Sequence, residues 1–345
     1  MITNKQFDEF KQELPAIIDV YKKEFSKQKP TNYKTYEKQW ANRLRTALKE
    51  LKTVIDQAEK SVRIKPKHFG RPPKAQAKQK VLILLAKDLA QFSGRKMANL
   101  LALFSLFDDV DVSYKTIERA YSDPMVRLII HNIFVILVKS KAITQADLTG
   151  DGTGYSLTIT KHYRSVRETS GDAVKVAESK SAKAEPQTKQ DKRRLFTYAF
   201  ALMDLESHMY VGYGASLKSE KAAFEAALDI MRECGVEARS VRLDQYYAGQ
   251  STAAAFARDT AMYLIPKSNA TIKGSYAWKD MIRDLISYPF LFLGEYFRRE
   301  HSESGFSADK RCCGWKIWQR RDDRIHTATM CKGVWHNLLW LGGTT

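Results

Sequence analysis

The spacing of hydrophobic and polar positions changes near residue 140 of the chain. Before it, apolar residues recur every three or four positions, as at Leu44, Leu48, Leu51 and Ile55, which predicts amphipathic helices. After it, runs of aromatic and β-branched residues are separated by short polar turns, which predicts strands. The sequence therefore predicts an all-helical N-terminal region followed by an α/β domain over residues 141–345.

The helical part is predicted to consist of two regions, residues 1–62 and 81–140, joined by a basic linker over residues 63–80. The linker contains Gly70, Arg71 and two consecutive prolines, a combination that breaks helices. Such an extended basic segment suits a DNA minor groove, into which Arg71 could insert its guanidinium group. A solvated linker explains the same residues equally well.

The second helical region is predicted to resemble a helix-turn-helix unit. Val81–Phe92 and Arg95–Phe107 are its first two helices, and Ser113 is the expected N-cap of the third. The third helix carries Lys115 and Arg119, which are candidate DNA contacts. A small helical bundle without a DNA-reading role is the alternative.

The α/β domain is predicted from a hairpin that is followed by alternating helices and strands. Its two hairpin strands, Leu195–Met203 and Met209–Ala215, are joined by a polar turn. The further predicted helices and strands are Lys221–Cys234, Ala238–Asp244, Ser251–Arg258, Ala261–Pro266, Trp278–Ile286 and Leu291–Arg311. This order predicts a mixed sheet with helices on its faces. A charged segment at about residues 165–194 is predicted to be an inserted surface loop.

Charge and cysteine content narrow the possible partners. The chain has 57 Lys and Arg residues against 39 Asp and Glu residues, a net charge of +18 that favours a polyanion such as nucleic acid. Its four cysteines match no familiar zinc spacing, so we expect free, reduced thiols. No apolar run reaches the roughly 18 residues of a membrane span. The N-terminus lacks the apolar segment of a signal peptide, so we expect a soluble cytoplasmic protein.

Two aspartates are candidates for chemistry. Asp244 ends a predicted buried strand, where the loops of an α/β sheet form a ligand crevice. Asp151 lies between two glycines, which allow the backbone to approach a ligand closely. A capping role for Asp244 and an ordinary turn at Asp151 are the alternatives, and Asp147 could take the place of Asp151.

Tyr296, Arg299, Glu303 and Lys310 form the strongest chemical pattern in the chain. Offsets of 3, 7 and 14 residues from Tyr296 place all four on one face of a continuous helix. Arg299 and Lys310 can bind phosphate groups there, and Glu303 can bind a metal ion. The alternative is a solvated helix in which Arg299 and Glu303 form an ion pair. Together with the two aspartates, Glu303 gives the three acids that two Mg²⁺ ions require for phosphodiester chemistry.

This four-residue spacing matches the Y-R-E-K signature of bacterial and archaeal DDE insertion-sequence transposases in residue type and in distance along the chain. The segments around Asp151 and Asp244 resemble the first and second aspartate segments of the same family. The resemblance covers roughly residues 145–340, and the region Pro72–Tyr121 more loosely.

The resemblance implies a ribonuclease-H-like catalytic core. It implies that Asp151, Asp244 and Glu303 are catalytic and bind two Mg²⁺ or Mn²⁺ ions. The DNA phosphate contacts that it implies are Tyr296, Arg299, Lys310 and, with less support, Lys267. The implied partner is double-stranded DNA, at the terminal inverted repeats of an element and at a target site. A homodimer on the DNA and a nucleoid-associated location follow from the same resemblance.

Two other functions fit the same residues. One is a ribonuclease-H-like, metal-dependent DNA nuclease that cuts without strand transfer. The other is a DNA-binding protein derived from a transposase that has lost its catalytic activity. The intact acids and Lys310 argue against the second alternative.

Overall fold

The computed structural model describes residues 3–25, 32–63, 74–104, 112–158 and 196–342. Arg71 and the charged segment at about residues 165–194 lie outside the described residues, so the predictions that concern them stay predictions.

Helices make up the described part of the chain before residue 141, which confirms the predicted helical N-terminal region. They are α1 (Asn4–Phe25), α2 (Tyr33–Ser61), α3 (Ala77–Leu89), α4 (Gly94–Phe104), α5 (Tyr114–Ala120) and α6 (Pro124–Ser140). As predicted, Ser113 caps α5, since its hydroxyl accepts a hydrogen bond from the backbone N–H of Thr116 at 3.3 Å. Asp123 caps α6 in the same way, ahead of a proline in the first turn.

The helices α5 and α6 form a bent pair, with 59° between them. Within the described residues, no single helix is long and apolar enough to cross a membrane, although this pair together reaches the required length and hydropathy. The apolar side chains of α6, such as Ile129, Ile133 and Phe134, are buried in the core. The helices α2 and α12 (Asp322–Leu341) pack against α6.

A mixed sheet forms the centre of the second part of the chain. Its strands are β1 (Gln145–Leu157), β2 (Phe196–Asp204), β3 (Tyr210–Ser216), β4 (Glu237–Leu243), β5 (Ala261–Tyr263) and β6 (Lys316–Ile317). The order across the sheet is β3-β2-β1-β4-β5, and β6 pairs with the end of β1. The strands β1, β2 and β3 are antiparallel neighbours, whereas β4 and β6 run parallel to β1 and β5 runs parallel to β4. The predicted α/β class and the predicted hairpin are confirmed.

Helices cover both faces of this sheet. They are α7 (Glu220–Cys234), α8 (Gln250–Ala253), α9 (Tyr276–Ser287), α10 (Pro289–Phe297), α11 (Glu300–Cys313) and α12. The backbone of α7 lies directly on β3, because a Cβ atom on Gly214 would come within 2.0 Å of the carbonyl oxygen of Ala223. The neighbouring Tyr213 points to the opposite face, where its ring occupies the space beside Gly333 of α12. The sheet is therefore buried between α7 and α12.

The predicted continuous helix over Leu291–Arg311 is wrong, because the chain bends between α10 and α11. At the bend the carbonyl oxygen of Arg299 accepts hydrogen bonds from the hydroxyl groups of Ser302, at 2.7 Å, and Thr149, at 3.2 Å. Backbone N–H groups there bond three residues back rather than four, which tightens the turn. Tyr296 consequently lies on α10, and the residues after Arg299 in the pattern lie on α11.

Two further predicted elements are shorter than expected. The strand predicted over Ala261–Pro266 ends at Tyr263, and the helix predicted over Ser251–Arg258 ends at Ala253.

Candidate active site

Asp151 lies inside β1 and its side chain points towards α11. Side chains alternate between the two faces of a strand, so Thr149, Asp151 and Thr153 share one face. The hydroxyl of Thr149 lies 3.2 Å from the hydroxyl of Ser302 on α11, and Lys310 of α11 donates to the hydroxyl of Thr153 at 2.6 Å. Asp151 stands between these two contacts, on the face of the sheet that α11 covers.

The alternative of an ordinary turn at Asp151 is wrong, since the residue lies within β1. The glycines beside it also have a different use from the one expected. A Cβ atom on Gly150 would come within 2.5 Å of the side chain of Leu243, and one on Gly152 within 2.2 Å of the carboxylate of Glu220. Both glycines make room for other parts of the protein on the face opposite Asp151.

Asp244 follows β4 directly and begins a short 3-10 turn, Gln245–Tyr247. Its Oδ1 atom accepts a hydrogen bond from the backbone N–H of Gln245 at 2.7 Å. The strands β1 and β4 are parallel neighbours, and their last paired residues are Gly150 and Leu243. Asp151 and Asp244 each come one residue after that pair. Their backbones are therefore adjacent at the same position along the two strands.

Glu303 lies in the first turn of α11, about half exposed, and forms an ion pair with Arg299. The distance from the Arg299 Nη1 atom to the Glu303 Oε1 atom is 2.5 Å. Glu303 is close enough to Asp151 to raise the pKa of that aspartate. The ion pair expected as the alternative is therefore present, but it lies beside Asp151 rather than on a solvated helix far from other acids.

Lys310, near the C-terminal end of α11, also extends its side chain towards β1 near Asp151. Besides its contact with Thr153, its ammonium group lies 5.7 Å from the centre of the Tyr155 ring. Burial lowers the pKa of Lys310, and the charge of Asp151 acts in the opposite direction. Lys310 thus supplies a positive charge close to the aspartate.

The remaining four predicted DNA contacts in the described part of the chain are two residues of the α/β domain, Tyr296 and Lys267, and two residues of α5, Lys115 and Arg119. Tyr296 is buried, and its ring lies under the guanidinium group of Arg299 with 5.6 Å between the Cζ atom and the ring centre. Burial raises the pKa of Tyr296. Lys267 lies in the loop after β5, with its ammonium group 5.4 Å from the centre of the Tyr246 ring. The side chains of Lys115 and Arg119 are exposed on α5, which packs against α3 and α4.

The acids of this edge affect one another electrostatically. The pKa of Asp151 is raised to about 6, first by burial and then by the negative charges of Glu303 and Glu220. A hydrogen bond from the backbone N–H of Gly152, at 2.8 Å, acts in the opposite direction. Acids held together at this cost are typical of a site that binds a cation.

The fit of this edge to a divalent cation rests on the chemistry of its donors. Asp151, Asp244 and Glu303 offer carboxylate oxygens, the donors that Mg²⁺ prefers. Within the described ranges, no three His, Cys, Asp or Glu side chains are already close enough to form a complete metal site. Asp151 and Asp244 each follow the last paired residues of two adjacent strands, while Glu303 is turned towards Arg299. The donor set fits such an ion once the Glu303 side chain leaves Arg299.

Other acids near the site have separate partners. Asp147, the alternative to Asp151, forms an ion pair with Arg239 and accepts a hydrogen bond from Ser240, and these contacts lower its pKa to about 2. Glu295, close to the signature, forms an ion pair with the buried Arg242 of β4. These two acids stabilise the sheet and α10.

Glu220 is a fourth acid that sequence reasoning missed. It is the first residue of α7, and its Oε1 atom accepts a hydrogen bond of 2.6 Å from the hydroxyl of Tyr247. Its carboxylate also lies against Gly152, on the face of the sheet opposite the Asp151 side chain, and its negative charge raises the pKa of Asp151. In the sequence Glu220 follows a serine N-cap and has the pattern of an ordinary first-turn acid, so no local signal distinguishes it.

The chain is 37% identical over 331 residues to a probable transposase for insertion sequence element ISA1214 of Archaeoglobus fulgidus, and the match covers 95% of each chain. No family model matches the sequence. Among solved structures, a chain of a pre-cleavage Mos1 transpososome is similar at 12% identity, covering 92% of this chain and 100% of that chain. Its TM-score is 0.20, which is too low to support an argument.

Proposed function

Because this chain belongs to the transposases of insertion sequences, we propose that it cuts DNA at the ends of such an element and joins the cut strand to target DNA. The substrates in this proposal are double-stranded terminal inverted repeats and a double-stranded target. The net charge of +18 supports a DNA partner, since each contact with a phosphate releases bound counterions.

The catalytic core of the proposal is a ribonuclease-H-like domain of the DDE type. The order of the sheet supports it: an antiparallel β1-β2-β3 meander is extended by the parallel strands β4 and β5 on the other side of β1. The carrying observation is the placement of Asp151 and Asp244 one residue beyond the last pair of two parallel strands, with Glu303 on the helix above them.

In this proposal Asp151, Asp244 and Glu303 would hold two Mg²⁺ or Mn²⁺ ions, which activate an attacking oxygen and stabilise a leaving oxygen. The role of the protein is to bring the carboxylates together and to bind the phosphate chain. Arg299 exchanges its bond to Glu303 for two parallel bonds to a DNA phosphate, which frees the carboxylate. Lys310 contributes a further positive charge beside Asp151.

Other parts of the chain would bind the DNA away from the reaction. The ring of Tyr296 packs against the guanidinium group of Arg299, and Lys267 lies in the loop after β5. Lys115 and Arg119 of α5, together with Arg71, are proposed to bind DNA outside the catalytic core. Pairing of two element ends favours a homodimer on the DNA.

The test is a reaction with a labelled element end, a target plasmid and Mg²⁺. We expect wild-type protein to yield cut ends and joined products. Glu303→Gln removes one charged ligand with little change of shape, so it should bind the labelled end normally and fail to cut it. Glu300→Gln, an exposed acid on the same helix, is the matched control and should cut normally.

Other products would identify the alternatives. Cutting without joining would indicate a nuclease of the same fold. Binding of the element end without cutting, in Mg²⁺ and in Mn²⁺, would indicate a catalytically inactive DNA-binding protein. Normal cutting by Glu303→Gln would contradict the assignment of Glu303.

A further inference from the structure

A small pocket lies between α3, the residue that follows α5 and residues 314–319, which follow α11. We call it the Lys87 pocket, and its lining includes Lys87, Tyr121, Trp315, Ile317, Trp318 and Gln319. Its cavity volume is about 230 Å³, which lies below the roughly 300–1,000 Å³ of pockets for drug-sized ligands. None of these six residues has a role in the proposed reaction, so the pocket is a separate site with room for a small molecule.

Lys87 brings a buried positive charge to the wall of the pocket. The residue is 3% exposed, and its ammonium group donates a hydrogen bond to the hydroxyl of Tyr121 at 3.0 Å. Among the described residues, this neutral hydroxyl is the only hydrogen-bond partner of the ammonium group. Burial lowers the pKa of Lys87, and the negative charges of Glu118 and Asp88 act in the opposite direction. A buried ammonium group that bonds no carboxylate is costly, so an anion in the pocket would stabilise it.

The neighbouring carboxylate, Asp88, is already bonded to another lysine. Its Oδ1 atom lies 3.1 Å from the Nζ atom of Lys332, which also donates to the carbonyl oxygen of Cys313 at 2.8 Å. The carboxylate of Asp88 therefore serves two buried ammonium groups, and it forms an ion pair with only one of them. A bound monoanion would balance the charge of the other.

Gln319 supplies a second hydrogen-bond donor. It is buried, and its Nε2 atom has no hydrogen-bond partner within the described structure. Burial raises the pKa of Tyr121, and the Gln319 amide acts in the opposite direction. The amide therefore lies near the hydroxyl that accepts from the ammonium group of Lys87. An anion beside that hydroxyl would satisfy the unpaired amide N–H groups as well.

The exposed part of the lining is aromatic. Trp315 and Trp318 keep 48% and 43% of their surface exposed, and they flank the buried Ile317 in sequence. Phe92 lines the same pocket from the segment that follows α3. These rings offer apolar surface beside a buried positive charge, which suits a ligand that has an apolar body attached to one anionic group.

We propose that the Lys87 pocket binds a small monocarboxylate, with its carboxylate group between Lys87 and Gln319 and its apolar body against the two tryptophan rings. The two oxygens of a carboxylate match the two donors. A phosphate dianion would bring a second negative charge close to Asp88, which disfavours it. Because α3 belongs to the helical region and Gln319 to the α/β domain, the ligand contacts both and stabilises their junction.

The experiment is calorimetric titration of the full chain with sodium benzoate, at an ionic strength held constant with NaCl. We expect one benzoate to bind per chain and to raise the unfolding temperature as the site fills. Sodium acetate has the same charge without the ring and should bind more weakly. Sodium phosphate should give no more heat than NaCl.

Variants of the two donors test the position of the ligand. Lys87→Met should weaken benzoate binding about tenfold or more, the usual effect of losing a hydrogen bond to a charged group. Without benzoate it should unfold at the wild-type temperature or above, because it removes a buried charge. Gln319→Leu keeps the ammonium group and should also bind benzoate more weakly. Lys96→Met, which removes an exposed lysine of α4, is the matched control and should bind like wild type.

Several results would overturn this site. Wild-type affinity for benzoate in Lys87→Met is one of them, and equal binding of benzoate, acetate and phosphate is another. If Lys87→Met does not fold, Gln319→Leu decides, and wild-type affinity in that variant would count against the pocket. The titration contains no DNA, so its outcome is independent of the proposed function.

Discussion

At the scale of single residues, Arg299 is the most informative side chain of the candidate site. Arg299 lies between α10 and α11, where its carbonyl oxygen accepts a hydrogen bond from Ser302. Its guanidinium group bonds Glu303 of α11 and lies over the ring of Tyr296 of α10. Its buried Nε atom makes no hydrogen bond within the described structure. A buried donor without a partner is costly in a folded protein, and a phosphate oxygen would satisfy it.

This geometry leads to a prediction for Arg299→Lys. A lysine keeps the positive charge but cannot form two parallel bonds to a phosphate. We expect cleavage of the element end to slow on the order of a hundredfold, the usual effect of losing one donor to a developing charge. Arg298→Lys is the control, because Arg298 is exposed and paired with Glu295. Equal cleavage by both variants, measured in single turnover, would contradict the role of Arg299.

At the scale of helices and strands, the sequence predicted the elements whose boundaries carry local signals. Both hairpin strands lie within one residue of their predicted bounds, because a polar turn between two apolar runs marks where each strand ends. The end of α7 is marked by Gly235, whose φ of 75° suits glycine. The strand β1 was not predicted because three glycines interrupt its pattern. These glycines leave space for side chains that are distant in sequence, as Gly152 does for Glu220.

The bend between α10 and α11 was missed for a related reason. It depends on Thr149, which is 150 residues away along the chain from Arg299 and bonds its carbonyl oxygen. The helical spacing of the signature placed its four residues on one helix face. In the structure, it is the contact of α11 with β1 that brings Glu303 and Lys310 close to Asp151. Residue types near one another in sequence predicted helical structure here, but they did not predict where the helix is interrupted.

Glu220 connects three elements, and this gives a second prediction. It fixes the turn after Asp244 through Tyr247 and lies against Gly152 of β1. Glu220→Ala should lower the cleavage rate roughly 10–100-fold, the usual range for residues that orient metal ligands. It should also shift the Mg²⁺ dependence of the rate to higher concentration, which a general loss of stability would not do.

Glu220→Gln separates hydrogen bonding from charge. The amide keeps an oxygen that accepts from Tyr247, so we expect this variant to recover most of the rate lost in Glu220→Ala. A glutamine variant as slow as the alanine variant would show that the charge of Glu220 is needed rather than its hydrogen bond. Circular dichroism at the assay temperature verifies that both variants are folded.

At the scale of the whole molecule, α12 joins the N-terminal helices to the sheet. It packs against β3 on one side and against α2, α3 and α6 on the other. The indole N–H of Trp335 donates to the carbonyl oxygen of Leu85 on α3 at 2.9 Å. Lys332 is fully buried and pairs with Asp88 of α3 at 3.1 Å. The helical region and the sheet of the α/β domain therefore share one interior.

The buried pair of Asp88 and Lys332 tests this coupling. Lys332 also donates to the carbonyl oxygen of Cys313 at the end of α11, so the pair links α3, α11 and α12. Asp88→Leu leaves a buried ammonium without its carboxylate and should lower the free energy of unfolding by ~3–5 kcal/mol. Lys332→Met should have a similar effect, because it leaves the carboxylate of Asp88 in a site where burial already raises its pKa.

The double variant, in which both Asp88 and Lys332 are replaced, tests whether the two losses of unfolding free energy depend on each other. Replacing both charges leaves apolar side chains of similar size facing each other, so the double variant should be more stable than either single variant. Denaturant unfolding followed by Trp fluorescence and by circular dichroism measures all three. If the helical region and the core are one unit, both signals change in a single transition in every variant. Two separate transitions, or losses that simply add in the double variant, would mean that α3 is attached to the core without depending on this pair.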